Sequence, residues 1–150
     1  MRLKSPRQLW AISRFLHAHG WPRLARGVKT LNYMLHKCLL PAEAKVGENI
    51  VLEHYALGIV MHPQVEIGDN CCIYHHVTLA SESCIGSEYM IILGNRVTIG
   101  AHSIVVARSN STLRIGDGAF IGAGSVLTKD VPAGEVWAGN PARKIKERKA

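Results

Sequence analysis

The sequence predicts an all-β solenoid, a parallel β-helix of hexapeptide repeats with a short α-helical segment before it and a C-terminal tail after it. Two observations predict it. First, an aliphatic residue opens every hexad from Val46 onward: Val46, Leu52, Met61, Ile67, Ile73, Leu79, Ile85, Leu93, Ile99, Val105, Ile115, Ile121 and Leu127. Second, the residue four places later is small or β-branched in most hexads, as at Val65, Cys71, Val77, Val97, Ser103, Ala119 and Ser125, and only Tyr89 is large there. A six-residue period belongs to stacked β-coils, in which each repeat buries its face only against its neighbours.

The segment 1–40 comes first and has a different period. Ser5-Pro6 reads as an N-cap followed by proline at the first helical position. Leu9, Trp10, Ile12, Phe15 and Leu16 follow at helical spacing, with Gly20 as the stop. Trp21-Pro22 restarts the pattern, and Leu24, Val28, Leu31, Leu35 and Leu39 form a second stripe. Two basic amphipathic helices are expected, their apolar faces covering the first coil or a partner subunit. The sharper alternative is peripheral contact with a membrane, because Trp, Phe and Leu opposite Arg and Lys is the interfacial pattern.

Pro41 marks the boundary to the repeat domain, expected over 41–136, and residues 137–150 read as a closing turn and tail. The opener points into the prism, the residue at i+4 must be small near a corner, and a glycine after seven of the openers supplies backbone freedom. The period slips by three residues between Leu52 and Met61, by four between Val105 and Ile115, and by two before Leu93. Loops extruded from a rigid repeat are where function concentrates, although solenoids also tolerate silent insertions.

Bulk numbers narrow the class. A chain of 150 residues is one domain. Residues 1–42 carry eight Lys and Arg and no Asp or Glu, whereas the rest sums to −1. That asymmetry suits a partner with anionic groups, against the plainer alternative of a solvated helix face. Cys38, Cys71, Cys72 and Cys84 show no C-x-x-C spacing, which fits a reducing cytoplasm, and Cys71 reads as a small core residue. Neither a secretory signal nor an apolar run of about 18 residues is visible. A cytoplasmic location, peripheral to the inner face of the membrane at most, is expected.

The motifs Ile121-Gly122-Ala123-Gly124-Ser125-Val126-Leu127, Val131-Pro132-Ala133-Gly134 and Ala138-Gly139-Asn140-Pro141-Ala142-Arg143 resemble the end of hexapeptide-repeat acyltransferases. Leu52-Glu53-His54-Tyr55-Ala56-Leu57-Gly58-Ile59-Val60 and Val77-Thr78-Leu79 resemble the serine acetyltransferase branch, and the basic helical lead-in resembles its short polysaccharide O-acetyltransferases. The resemblance covers residues 41–146. It implies a left-handed β-helix, a homotrimer with sites between subunits, and acetyl-CoA as cosubstrate.

It also implies roles. His54 stands where the family keeps its general base, and an imidazole titrating near neutrality suits that work. Glu53 replaces the aspartate that serine acetyltransferases hold before it. Tyr89-Met90 stands where they hold an Arg-His pair for the amino acid, so the expected acceptor shifts to a saccharide or glycan hydroxyl, with Tyr55, His75, His76 and Tyr89 as acceptor contacts. Serine O-acetylation in cysteine biosynthesis is the alternative; a non-catalytic trimeric scaffold is another. Gly100, Ala101, Gly122, Ala123, Gly139, Asn140 and Pro141 are expected along the pantetheine arm, with Arg143 and Lys144 near the CoA phosphates.

His62, His75, His76 and His102 also lie in the repeat. Carbonic anhydrases of this fold class bind zinc through histidines five apart, a spacing missing here, and His75 and His76 would face opposite ways on a strand. No metal and no nucleic-acid partner are expected.

Overall fold

The computed structural model describes residues 5–81 and 88–148. Helix α1 (Pro6–Ala18) starts at Ser5, whose hydroxyl accepts from the Gln8 amide while the Gln8 side chain accepts from the Ser5 amide. This reciprocal capping satisfies two amides that a helix start would otherwise leave free. Gly20, at φ +79, ends the turn, and helix α2 (Pro22–His36) follows.

The repeat then winds through four coils of three short strands. They are β1 (Lys45–Val46), β2 (Val51–Leu52) and β3 (Val60–Met61); β4 (Val65–Ile67), β5 (Cys72–Ile73) and β6 (Thr78–Ser81); β7 (Tyr89–Leu93), β8 (Thr98–Ile99) and β9 (Ile104–Ala107); and β10 (Ser111–Ile115), β11 (Phe120–Ile121) and β12 (Val126–Leu127). Parallel pairing makes three faces, β1-β4-β7-β10, β2-β5-β8-β11 and β3-β6-β9-β12. On the second face Leu52, Ile73, Ile99 and Ile121 stand in register one above another.

Ile73, Ile99 and Ile121 are fully buried, as are Leu79, Val105 and Leu127 on the third face. Because each coil supports only its two neighbours, a cavity in a middle coil has nothing to collapse into. Ile99→Ala is therefore expected to cost about 2–5 kcal/mol, read as a lowered denaturant midpoint.

Three features depart from the expected pattern. The expected tail is a hairpin: β13 (Glu135–Gly139) pairs with β11 and, antiparallel, with β14 (Ala142–Glu147), so it continues the second face. The glycines after the openers are required by crowding rather than by φ. A Cβ on Gly100 would lie 2.6 Å from the Ala123 nitrogen, and one on Gly116 would lie 2.5 Å from the Ala133 nitrogen. The left-handed corners are instead built mostly by other residues, with Asn49, Asn70 and Arg96 at φ 54–57° stacked in line and His76 and His102 at 55° and 58° at the next corner.

Tyr89 is the third. It lies in β7 opposite Ser111, and the inward places belong to Ile91, aligned with Val65, and Leu113. The expected hexad opened by Ile85, with Ser83 and Cys84, lies outside the described residues, and the regular register resumes in β7. Likewise Leu113, buried, takes the inward position expected of Ser109.

The two helices behave differently. Helix α1 closes the first coil: Leu9 and Trp10 are buried, and the Trp10 indole donates to the Pro41 carbonyl at 2.7 Å. Helix α2 instead buries Ala25 and Asn32 and leaves its apolar stripe to solvent. Among the described residues no helix is long and apolar enough to cross a membrane.

Candidate active site

The three-residue slip after Leu52 becomes a tight left-handed turn over Glu53–Ala56. His54, Tyr55 and Ala56 all adopt left-handed backbone, with φ 50°, 56° and 57°. Three such residues in a row, none of them glycine, carry a strain of the kind that clusters at functional positions. Ala56 is fully buried and anchors the turn, while His54 is exposed and Tyr55 is 73% exposed.

The ladder of the second face sets what stacks under His54. With Leu52, Ile73, Ile99, Ile121 and Trp137 in register, the residues two places on read His54, His75, Ala101, Ala123 and Gly139. Backbone hydrogen bonds from Tyr74 to Ile99, Gly100 to Ile121 and Gly122 to Trp137 continue the ladder up to that column. That column thus carries imidazoles on its first two coils and small residues on the rest, with His102 beside it on the third coil. At about 4.8 Å per coil, the strip from His54 to Ala123 is about 14 Å long.

His75 lies against His54 with ring centroids 4.6 Å apart, edge to face. His102 stacks on His76 at 4.7 Å and approaches His75 at 5.2 Å. His75 and His76 occupy a corner turn rather than a strand, so their rings, 5.5 Å apart, share one edge of the prism instead of facing opposite ways. Among the described residues no group of three or more His, Cys, Asp or Glu side chains is arranged to hold a metal.

The His75 Nδ1 is buried with no hydrogen-bond partner. Burial first, and then the neighbouring His54, His102 and His76, push His75 below the ordinary histidine range. A base whose folded pKa is depressed takes up its proton more readily once unfolded, so the folded state is disfavoured as pH falls below about 6.5. Thermal unfolding midpoints should accordingly drop on the acid side of neutrality, and His75→Gln should flatten that slope.

Other expected residues take varied places. The Glu53 carboxylate accepts from the Cys72 thiol at 3.9 Å, and among the described residues no hydrogen bond joins it to His54. Tyr89 stands on the first face, where its hydroxyl meets His62 Nδ1 at 2.8 Å, away from the corner that carries His54. Asn140 and Pro141 form the exposed tip of the β13–β14 hairpin, and Arg143 is exposed beside it. Lys144 is held between Glu135, at 2.6 Å, and Glu147, which leaves Arg143 as the freer cation at this end. Sequence reasoning did not place Tyr74 or His102 beside the base; Tyr74 lies 6.3 Å from His54. Only the coil register reveals that neighbourhood.

No protein-family model matches the chain. A serine acetyltransferase of Helicobacter pylori is 30% identical over 136 residues, covering 91% of this chain and 77% of that protein. The chain belongs to the hexapeptide-repeat acetyltransferases, in their serine acetyltransferase-like branch. Galactoside O-acetyltransferase of Escherichia coli K12 is 38% identical over 112 residues, 68% of this chain and 53% of that one. The crystal structure of Brucella abortus serine acetyltransferase in complex with coenzyme A superposes with a TM-score of 0.87 at 26% identity, covering 95% of this chain and 55% of that one. The winding is accordingly that of the left-handed β-helix. The chain spans little more than half the length of such solved structures. Acetyl-CoA is the acyl donor of serine acetyltransferases.

Proposed function

We propose that this protein transfers acetyl from acetyl-CoA to an acceptor hydroxyl, with His54 as general base. The observation that carries the reading is the single column in which His54 and His75 stand at one end and Ala101, Ala123 and Gly139 continue below. Small residues permit a ligand to approach the backbone, and a strip of about 14 Å suits an extended pantetheine arm delivering its thioester to the imidazole end. His54 takes the acceptor proton as the hydroxyl oxygen attacks the acetyl carbonyl. The carbon–sulfur bond then breaks, and the CoA thiolate leaves and recovers the proton, giving an O-acetyl ester and free CoA. His75 borders the base and limits its rotation. Arg143 serves a CoA phosphate. The site is completed between subunits of a homotrimer.

Two acceptors have specific support. L-serine is favoured by the names of the relatives, and Glu53 beside His54 offers a carboxylate for an ammonium group. A saccharide hydroxyl is favoured by the galactoside relative and by the exposed Tyr55 ring next to the base. Thiol release from acetyl-CoA, measured against L-serine, free sugars and glycan fragments, decides between them. Release with none of these and no CoA binding in calorimetry would sink the acetyltransferase reading in favour of a scaffold.

A further inference from the structure

Helix α2 turns its small and polar side inward and its apolar stripe to solvent. Ala25 and Asn32 are 1% and 2% exposed. The Ser13 hydroxyl donates to the Ala25 carbonyl at 2.9 Å, and the Asn32 amide donates to the Pro6 carbonyl at 3.0 Å. Leu24, Leu31 and Leu35 are 59%, 45% and 44% exposed. Helical periodicity sets these three within about 40° of one another. Trp21 stands exposed at the start of the helix and Met34 near its end. An amphipathic helix in a globular protein ordinarily points such a stripe at the core, and a contiguous exposed one marks an interaction surface.

Charge decides what covers it. Residues 1–42 sum to +8 with no acidic side chain; Arg23 is exposed at the flank of the stripe, about 100° round the helix from Leu24, and Arg26 is exposed on the far side. A second copy of this face would bring two such segments together, against their mutual repulsion. Nucleic acid would answer the cations, but its interfaces are polar, and a leucine stripe gains nothing there. An anionic lipid surface meets both needs: leucines enter the acyl boundary, Trp21 sits at headgroup depth, and the cations meet lipid phosphates.

We infer that α2 lies in the plane of an anionic membrane surface, with Trp21, Leu24, Leu31 and Leu35 inserted. His36, at its last turn, stacks on Tyr55 at 6.4 Å, and the Gly58 amide donates to the Lys37 carbonyl at 3.1 Å. The docked helix is thereby tied to the turn that bears His54. This surface is independent of which hydroxyl is acetylated.

The test is cosedimentation of the full chain with phosphatidylcholine vesicles with and without phosphatidylglycerol. Binding should require phosphatidylglycerol and weaken with salt. Leu24→Gln/Leu31→Gln/Leu35→Gln and Arg23→Glu/Arg26→Glu should each lower partitioning at least about tenfold. Both variants should keep the wild-type molar mass in light scattering and the wild-type CoA affinity, which separates this inference from the acetyl-transfer reading. Three results would each overturn it: no wild-type binding to anionic vesicles, undiminished binding by the leucine variant, or a leucine variant of altered oligomeric state, which would make the stripe a contact between copies. Duplex DNA binding that survives in the leucine variant, without vesicle binding, would assign the charge to nucleic acid instead.

Discussion

His54→Ala is expected to lower acetyl transfer by about 10²–10⁴-fold, the usual contribution of a positioned general base. The loss should fall on kcat rather than on CoA affinity, because in the proposed mechanism the imidazole meets the reacting oxygen while the small-residue column lies on later coils. Folding should survive, since the His54 ring is exposed and the turn is anchored by the buried Ala56. The left-handed backbone at residue 54 makes His54→Asn the better second variant, since asparagine tolerates φ near +50°. Both should fail in the same way. Turnover equal to wild type with a competent acceptor would remove His54 from the mechanism. His75→Gln should cost less, and its effect should appear in the pH dependence of kcat if His75, packed against His54, acts through the base rather than on substrate.

The prism was legible in the sequence because its determinant is local and periodic: one aliphatic residue every six, filling one column. Helix α1 was legible for the same kind of reason, since Ser5, Pro6 and Gln8 form a cap within one turn. The spatial order of the site was less so. That His75 and His102 gather beside His54 depends on the register of non-adjacent coils, and that register depends on how many residues each insertion absorbs. Tyr89 shows the problem: counting sixes from Leu79 puts it at a corner position, whereas Ile91 is the residue that aligns with Val65. Helix α2 was less legible for a different reason. A stripe of leucines shows that a helix is amphipathic but not which side docks, and here Ala25 and Asn32 pack where leucines were expected.

The glycine and alanine members of the cofactor strip separate by cause, and that gives the second large prediction. Gly100 and Gly122 are demanded by the fold, since added Cβ atoms would meet the next coil at 2.6 and 2.8 Å. Their substitution should destabilise the protein whether or not it binds CoA. Ala101 and Ala123 differ. They occupy the same column as His75, where the second coil accommodates an imidazole, so coil geometry alone does not require a small side chain there. On the proposed mechanism their smallness serves the ligand path. Ala123→Phe is expected to fold, with an unfolding midpoint close to wild type. It should also raise the CoA dissociation constant at least about tenfold, a loss of about 1.4 kcal/mol or more. Calorimetric titration of CoA beside thermal unfolding checks both halves. If Ala123→Phe bound CoA as tightly as wild type, the cofactor would have to run along another edge of the prism, and the column under His54 would lose its role as the acyl-donor track.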